Sequence, residues 1–566
     1  MNTPEREAAL ETALSYHEET KHHLQRYARS LGYLEWEDQP NPFREFEGAP
    51  RVELPLAREE DSPSFVELVS GQPATAQGLS LRTLGRFFEL SLALSAWKEI
   101  PGHRWALRIN PSSGNLHPTE AYALLPPIEG VASHCGAYHY LSRDHALELR
   151  SRWEDAAASG GFYLAFTTIP WREAWKYGER AFRYCQHDLG HALAAACFSA
   201  ATLGWKAQFQ TVAAEYPAWL LGLERPAHPL EPEIPEALVW IQTGPPRPPF
   251  ALPAAHSALQ WFGQPNQLSS GHHAWPLIDQ VVGATIDTNF TNYHESAVRS
   301  EPSNPGCALP LLGERAEFVH ADAIPSPPGA PWPQPRPVPC LQPAERIIRQ
   351  RRSALGFDGA TPLPRAAFLQ ILDLTLPRPQ TPPFNLWDMP VRVHLVLFVH
   401  RVTELEPGLY LWVRDLQQLE ALRGAFRPGF VWKCEQPQEC PLFELGRADL
   451  RDFAKTLCCH QAIASDGAFS LGMLTHFEPA LRVFGPHAYR QLFWETGVIG
   501  QILYLGAEAA GMRATGIGCY FDDLLHDTLG LRDRTWQSLY HFTIGAPVDD
   551  LRLRSAPPYA EERTER

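Results

Sequence analysis

Apolar positions along this chain recur in two rhythms. Broad apolar stretches predict buried helices, and short runs bounded by turn residues predict strands. Leu81–Trp97 (LRTLGRFFELSLALSAW) predicts a buried helix. Ala121–Leu125 and Tyr138–Leu141 predict strands, a helix is expected from Asp144 onward, and Gly161–Thr167 (GFYLAFT) predicts a buried strand. Glu179–Leu203 is alanine-rich and apolar on several faces, which suits a core or an interface; Gly204 fits its C-cap. Leu238–Thr243 is a further strand, residues 1 to about 35 predict a polar helix, and 37–75 is loop-rich.

The rhythm then breaks. Residues 251–343 are proline-rich, with PPRPPFALP just before and PSPPGAPWPQPRPVP inside, and neither run can continue a helix or a central strand. One short helix is expected within this stretch, at WPLIDQVVGATID. Near Pro343 the pattern restarts: helices over Ala344–Arg352 and Arg365–Leu374, strands over Val391–His400, Gly408–Trp412 and Phe469–Thr475, a long apolar helix over Tyr489–Ala510 closed by Gly511, and a last strand over Leu539–Gly545. HDLGHALAAACFSAATLGW (187–205) parallels WETGVIGQILYLGAEAAGM (494–512), and LVWIQTGPP (238–246) parallels YHFTIGAPV (540–548). Shared features in one order suggest an internal repeat, a fused pseudo-dimer. The expected organisation is 1–250, a first domain with an N-terminal helical extension; 251–343, a linker; and 344–566, a second domain.

A length of 566 residues supports at least two domains. The formal net charge of -15 argues against nucleic acid and anionic lipid as partners. No run of apolar residues is long enough to predict a membrane span, and no secretory h-region opens the chain. The ten cysteines contain no Cys-x-x-Cys pair and are read as free thiols rather than metal ligands, which places the protein in a reducing cytoplasm. His187 and His191 share a helical face, but no metalloprotease frame surrounds them.

Several segments carry chemistry. Pro111-Ser112-Ser113-Gly114-Asn115 sets small polar groups on a tight loop that can approach a flat ring, although taken alone it reads as a turn. Arg351-Arg352-Ser353 offers two planar forks suited to phosphate and carbonyl groups. Gly516-Ile517-Gly518 exposes backbone N–H groups after the long helix, without the context of a dinucleotide fold. Arg552 and Arg554 follow the last strand and are either a solvated tail or an anion grip. Lys176-Tyr177 is either an exposed lysine beside a packing tyrosine or a proton-transfer pair.

Taken in order, YHEETKHH (16–23), PFREFEGAPRVELP (42–55), NPSSGNLHPTEAY (110–122), WKYGERAFRY (175–184), FGQPNQLSSGHHAWPLIDQV (262–281), RQRRSALGF (349–357) and TGIGCYFDD (515–523) resemble the flavin-dependent nitroreductase superfamily. Within it they resemble the azoline oxidase branch, the SagB/ThcOx-type dehydrogenases, in tandem-domain form. The resemblance implies an α+β fold of two fused nitroreductase-like domains forming an intramolecular pseudo-dimer, with FMN as cofactor. It implies that Arg351, Arg352 and Ser353 hold FMN and that Arg552 and Arg554 hold its phosphate. Pro111, Ser112, Ser113 and Asn115 would pack on the ring, with Gly516, Ile517 and Gly518 near the flavin N5. It implies catalytic roles for Lys176 and Tyr177. Arg172, Arg180 and Arg183 would lower the lysine's pKa, and His117 and Glu120 would orient neighbours. One departure is Leu355, where the family often has a basic residue.

The two halves have complementary losses. The first has the Pro-Ser-Ser-Gly-Asn loop and no Arg-Arg-Ser; the second has Arg-Arg-Ser and only PPFNLW (382–387) where the loop is expected. One FMN per chain, between the halves, follows. The expected activity is FMN-dependent dehydrogenation, by resemblance that of thiazoline or oxazoline rings in a ribosomal peptide. The implied partners are a modified-peptide or small-molecule substrate and a cyclodehydratase, with the chain a monomeric pseudo-dimer or a homodimer. The competing readings are an NAD(P)H-dependent nitro or quinone reductase and a scaffold whose flavin site has decayed.

Overall fold

The computed structural model describes residues 3–56, 62–72, 74–154, 160–247, 249–255, 259–286, 332–333, 335–336, 340–386 and 390–559. Most of the proline-rich stretch and Trp387 of PPFNLW lie outside the described residues. No helix among the described residues is long and apolar enough to cross a membrane.

Two antiparallel sheets carry the repeat. In space, the strands of the first half lie in the order Ala146–Trp153, Cys135–Leu141, Thr119–Leu125, Gly161–Thr168, Ile234–Gln242, Lys206–Gln210. Those of the second half lie in the order Leu442–Arg447, Gly408–Trp412, Val393–Val399, Phe469–His476, Trp536–Gly545, Arg513–Ile517. Ranked along the chain, both read third, second, first, fourth, sixth, fifth. In both, one long helix is inserted between the fourth and fifth strands: Ala181–Thr202 in the first half, Ala488–Ala509 in the second. A left-handed glycine follows each, Gly204 and Gly511.

The two long helices pack directly on each other. Gly190 and Gly497 face one another at the crossing: a Cβ on Gly190 would collide with the Trp494 carbonyl, and one on Gly497 with the His187 carbonyl. Around that contact the halves interlock. Trp494 and Leu386 of the second half sit in the apolar core of the first. Helix Ala344–Gln350 docks beside Phe65–Val69 through reciprocal bonds, Phe65 N–H to the Gln342 carbonyl (2.9 Å) and Ala344 N–H to the Pro63 carbonyl (2.9 Å). The C-terminal strand Arg554–Ala556 joins the first-half hairpin formed by Leu94–Ile100 and His103–Arg108.

Three expected elements are corrected. The N-terminal helix ends at Glu19, because His22 instead pairs with Phe521 and its N–H donates to Asp522. The helix expected over 81–97 stops at Ser91, and Leu94–Ile100 is a strand. A hairpin partner closed by Gly102 supplies backbone bonds that a continued helix would forgo. The segment from Asp144 is strand Ala146–Trp153. Its alternation sends Leu147 and Leu149 to the core, while Glu148 on the opposite face meets His139.

Gly190→Val and Gly497→Val should each lower stability by about 1–3 kcal/mol, since a packed interface tolerates added volume poorly. Urea unfolding measures this, and an unchanged midpoint for both would mean that the helices do not cross at these residues.

Candidate functional site

The Pro111–Asn115 loop enters the first sheet just before its first strand. Gly114 (φ 57), Asn115 (φ 60) and His117 (φ 55) adopt left-handed backbone. The loop's polar groups are committed. Ser113 donates its N–H (3.0 Å) and hydroxyl (2.9 Å) to Asp188, Asn115 donates to the Ala106 carbonyl (2.9 Å), and the Ser112 hydroxyl accepts from His117 N–H (2.8 Å). Burial raises the Asp188 carboxyl to about 7, the serine bonds opposing the shift. The loop is thus rigid before any ligand arrives.

Facing it across the helix crossing is the second half. His187 Nε2 lies 3.0 Å from the Leu539 carbonyl, and its ring stacks on Tyr540. His191 Nε2 lies 3.3 Å from the Tyr540 hydroxyl. Contact of both rings with Tyr540 across the crossing makes these histidines interface groups, and burial lowers the pKa of both. Gly516 N–H donates to the Tyr504 hydroxyl (3.0 Å), which also lies 2.9 Å from Ser353 Oγ. A Cβ at Gly516 would overlap Tyr540, and one at Gly518 would overlap Tyr184. Ile517, between them, points into the apolar core.

Arg351 is buried, donates to the Arg108 carbonyl (3.0 Å) and lies 5.0 Å over the Tyr504 ring; its Nε has no partner among the described residues. Arg352 donates to the Ser95 carbonyl (2.6 Å). Both arginines of the second half therefore reach backbone at the base of the first-half loop. Lys98 and Arg513 join them: burial and mutual repulsion among Lys98, Arg351, Arg352 and Arg513 lower the pKa of the first three. Glu508 and Asp549 offset this cluster, and burial raises Glu508 toward its neutral form. Arg552 and Arg554 stand apart. Arg552 is 87% exposed and held by Asp550 (2.7 Å), and Arg554 is exposed on the C-terminal strand.

Lys176 and Tyr177 end helix Pro170–Tyr177. The Tyr177 hydroxyl packs on the loop so closely that a Cβ on Gly114 would lie 2.6 Å from it. Lys176 is exposed, with its Nζ 5.2 Å from the Tyr177 ring centre. The neighbouring arginines are matched elsewhere: Arg172 by Glu120 (2.5 Å), and Arg180 and Arg183 by Asp522 (2.9 and 2.8 Å). Glu120 also meets His139 (3.0 Å), while both His117 ring nitrogens are buried. One turn before Tyr177, Glu173 is buried with neither oxygen bonded among the described residues, and desolvation followed by Asp188 raises its pKa well above the usual range. Asp188, Glu173, Lys98, Arg513, Tyr184, Tyr504 and Tyr540 are all members that sequence reasoning missed. Tyr184 closes the WKYGERAFRY segment, and Asp188, Tyr504 and Tyr540 lie in the repeated stretches, but nothing in those patterns singles them out; Glu173, Lys98 and Arg513 lie outside them.

The pseudo-equivalent place on the other side of the crossing is built differently. The fifth residue past the closing glycine is Gly516 in the second half and Phe209 in the first, and each pairs with the following long strand. Trp494 replaces His187 at the crossing, and its ring packs on Phe209. The turn Phe384–Leu386 stands where the other half has Ser113–Asn115. Helix Phe65–Val69, the counterpart of Ala344–Gln350, runs on to Gln72 and Ala74 where the other continues into Arg351 and Ser353.

No family model matches this chain, and no curated protein does. Among solved structures, the chain is similar to a putative nitroreductase from Anabaena variabilis ATCC 29413, at 22% identity and a TM-score of 0.63, over 95% of this chain and 99% of that one. Two further matches are partial. The Escherichia coli microcin synthetase McbBCD complex with truncated pro-MccB17 has 18% identity and a TM-score of 0.28 over 46% of this chain and 89% of that one. A putative nitroreductase from Ralstonia eutropha JMP134 has 18% identity and a TM-score of 0.26 over 40% and 97%. The first likeness, with the repeated strand order, defines the fold: two nitroreductase-like domains fused in one α+β chain.

The Asp188 pKa sets a pH dependence. In the unfolded chain this carboxyl titrates near its ordinary 3.8, and in the folded chain near 7. The native state therefore holds the extra proton, and its stability falls as pH rises through this window. Asp188→Asn should flatten that decline and leave the variant relatively more stable at pH 8 than at pH 4. Parallel pH–stability curves would contradict the shift.

Proposed function

We propose that this chain is an FMN-dependent oxidoreductase with a single flavin site between its halves. The observation that carries the reading is the complementary assembly: Arg351 of one half bonds the loop base of the other, while Phe209 and Trp494 fill the pseudo-equivalent place. The residues suit the cofactor. A cluster of cations with an unspent Arg351 Nε matches a phosphate dianion or an electron-rich ring edge. Gly516 and Gly518, without side chains, let Tyr540 and Tyr184 pack against this segment. Lys98 and Arg513 replace Arg552 and Arg554 in our reading of the phosphate grip. Arg351, Arg352, Ser353, Gly516, Ile517, Gly518 and the Pro111–Asn115 loop complete the site.

When bound, FMN supplies a two-electron acceptor. The chain's own part is proton chemistry and positioning. Lys176, at the open rim, takes the ring proton of the substrate, and Tyr177, clamped on Gly114, orients it. Buried Glu173 and Asp188 lie behind them as neutral or readily protonated carboxyls. An exposed base beside a rigid flavin loop suits a ring presented on a peptide, so we assign azoline dehydrogenation as the reaction, downstream of a cyclodehydratase.

Purified holoprotein should contain about one FMN per chain, measured on the released flavin; a ratio near two would overturn the single site. Lys98→Ala, at a partly buried position of the cation cluster, should weaken FMN binding about tenfold while the protein stays folded. Under anaerobic conditions an azoline peptide should bleach the flavin. Lys176→Ala should slow that bleaching about 10²-fold with FMN retained. Rapid bleaching by NADPH and none by the azoline would favour a nitro or quinone reductase.

A further inference from the structure

Two cysteines beside the site remain unused by this chemistry. Cys519 directly follows Gly518, and Cys459 lies in the turn after helix Arg451–Leu457. Five other cysteines, Cys135, Cys185, Cys197, Cys340 and Cys458, are buried, whereas Cys459 and Cys519 are partly exposed. Their two thiols are hydrogen-bonded to each other.

The backbone around them is tied on both sides. Gln461 Nε2 donates to the Cys458 carbonyl (2.9 Å) and the Cys519 carbonyl (3.1 Å), and Phe521 N–H donates to the Leu457 carbonyl (2.8 Å). Cys459 (φ 51) and His460 (φ 61) hold left-handed backbone, a conformation that L residues adopt only when the surroundings impose it. The juxtaposition of the sulfurs is therefore built in rather than a chance meeting of mobile side chains.

We propose that Cys459 and Cys519 form a reversible dithiol–disulfide pair that exchanges with low-molecular-weight disulfides. The surrounding groups divide the roles. The Cys459 thiol donates to Cys519 and, with His22 and Arg180, holds the Cys519 thiol below the usual range against the cost of burial. The same bond, with burial, raises Cys459. Tyr27, Tyr177, Tyr184 and Cys458 are further titratable neighbours, and none brings a positive charge. Cys519 is thus the attacking thiolate and Cys459 the resolving thiol.

The exchange balances in two steps. The Cys519 thiolate attacks one sulfur of a disulfide RSSR; the S–S bond breaks, and RS⁻ leaves and takes a proton. Cys459 then loses its proton to solvent and attacks the Cys519 sulfur, displacing the second RS⁻. The dithiol loses two electrons and two protons, and RSSR becomes two RSH. The new bond would fasten the turn at 459 to the segment carrying Gly516–Gly518, whose Gly518 carbonyl already accepts from Arg180 (3.2 Å). This pairing stands whether or not the flavin reading holds.

The test equilibrates the full-length protein in glutathione buffers of graded thiol-to-disulfide ratio, followed by acid quench, alkylation and mass spectrometry. The expected result is paired loss of two thiols in one two-electron transition. In a Cys458→Ala background, a linked peptide should join Cys459 to Cys519. Reduced protein should alkylate at Cys519 at least about tenfold faster than at Cys459 at pH 7. Cys459→Ser, which needs no repacking of a buried group, should accumulate a stable glutathione adduct on Cys519. Independent modification of the two thiols, with no linked peptide in pure glutathione disulfide, would overturn the pair; so would a Cys459→Ser protein that stays folded yet forms no adduct.

Discussion

The contact between Gly190 and Gly497 is the constraint on which the rest of the molecule depends. Without side chains at the crossing, the long helices approach until each glycine meets the backbone of the other. That separation lets His187 reach the Leu539 carbonyl and His191 approach Tyr540, and it lets Trp494 bury itself in the opposite core while its indole donates to Gln186 (2.6 Å). A larger residue at either position would push the halves apart. The loop, the arginines and the glycine strand would then belong to separate bodies.

Buried charge is treated in two ways around this axis. Asp522 receives Arg180, Arg183 and the His22 N–H, tying the N-terminal extension, the first long helix and the second domain into one knot, and its pKa stays low despite burial. Glu120 is held the same way by Arg172 and His139. Asp188 and Glu173 have no such cation in contact among the described residues, so desolvation dominates and raises both. The first arrangement serves assembly. The second leaves protonatable groups beside the loop, at a cost in stability that the paired carboxylates do not incur.

Much of the candidate site was legible because it lies in short contiguous motifs whose order along the chain narrows their use. Pro111–Asn115 needs small polar residues and left-handed backbone, Arg351-Arg352 offers paired forks, and Gly516 and Gly518 lack side chains. Asp188, Glu173, Lys98 and Arg513 were not legible, because what distinguishes them is their surroundings. Asp188 is one polar residue on an apolar helix until the loop folds over it, and Lys98 lies just past a segment whose periodicity suggested helix. The same limit explains the secondary-structure corrections. Ala146–Trp153 is a strand because Cys135–Leu141 lies ready to bond it, a fact no local pattern contains.

By itself, the sequence determined the number of domains, the repeat, the positions of the long helices and the unequal endowment of the halves. These depend on local periodicity and on residue chemistry, which a linear string records in full. Tertiary structure alone decided that the unequal parts meet across one glycine crossing, that Phe209 and Trp494 fill the counterpart place, and that the cations gather as Lys98, Arg351, Arg352 and Arg513 while Arg552 faces solvent beside Asp550. The physical reason is that proximity, desolvation and electrostatic coupling join residues hundreds of positions apart, and they arise only when the two halves close on each other.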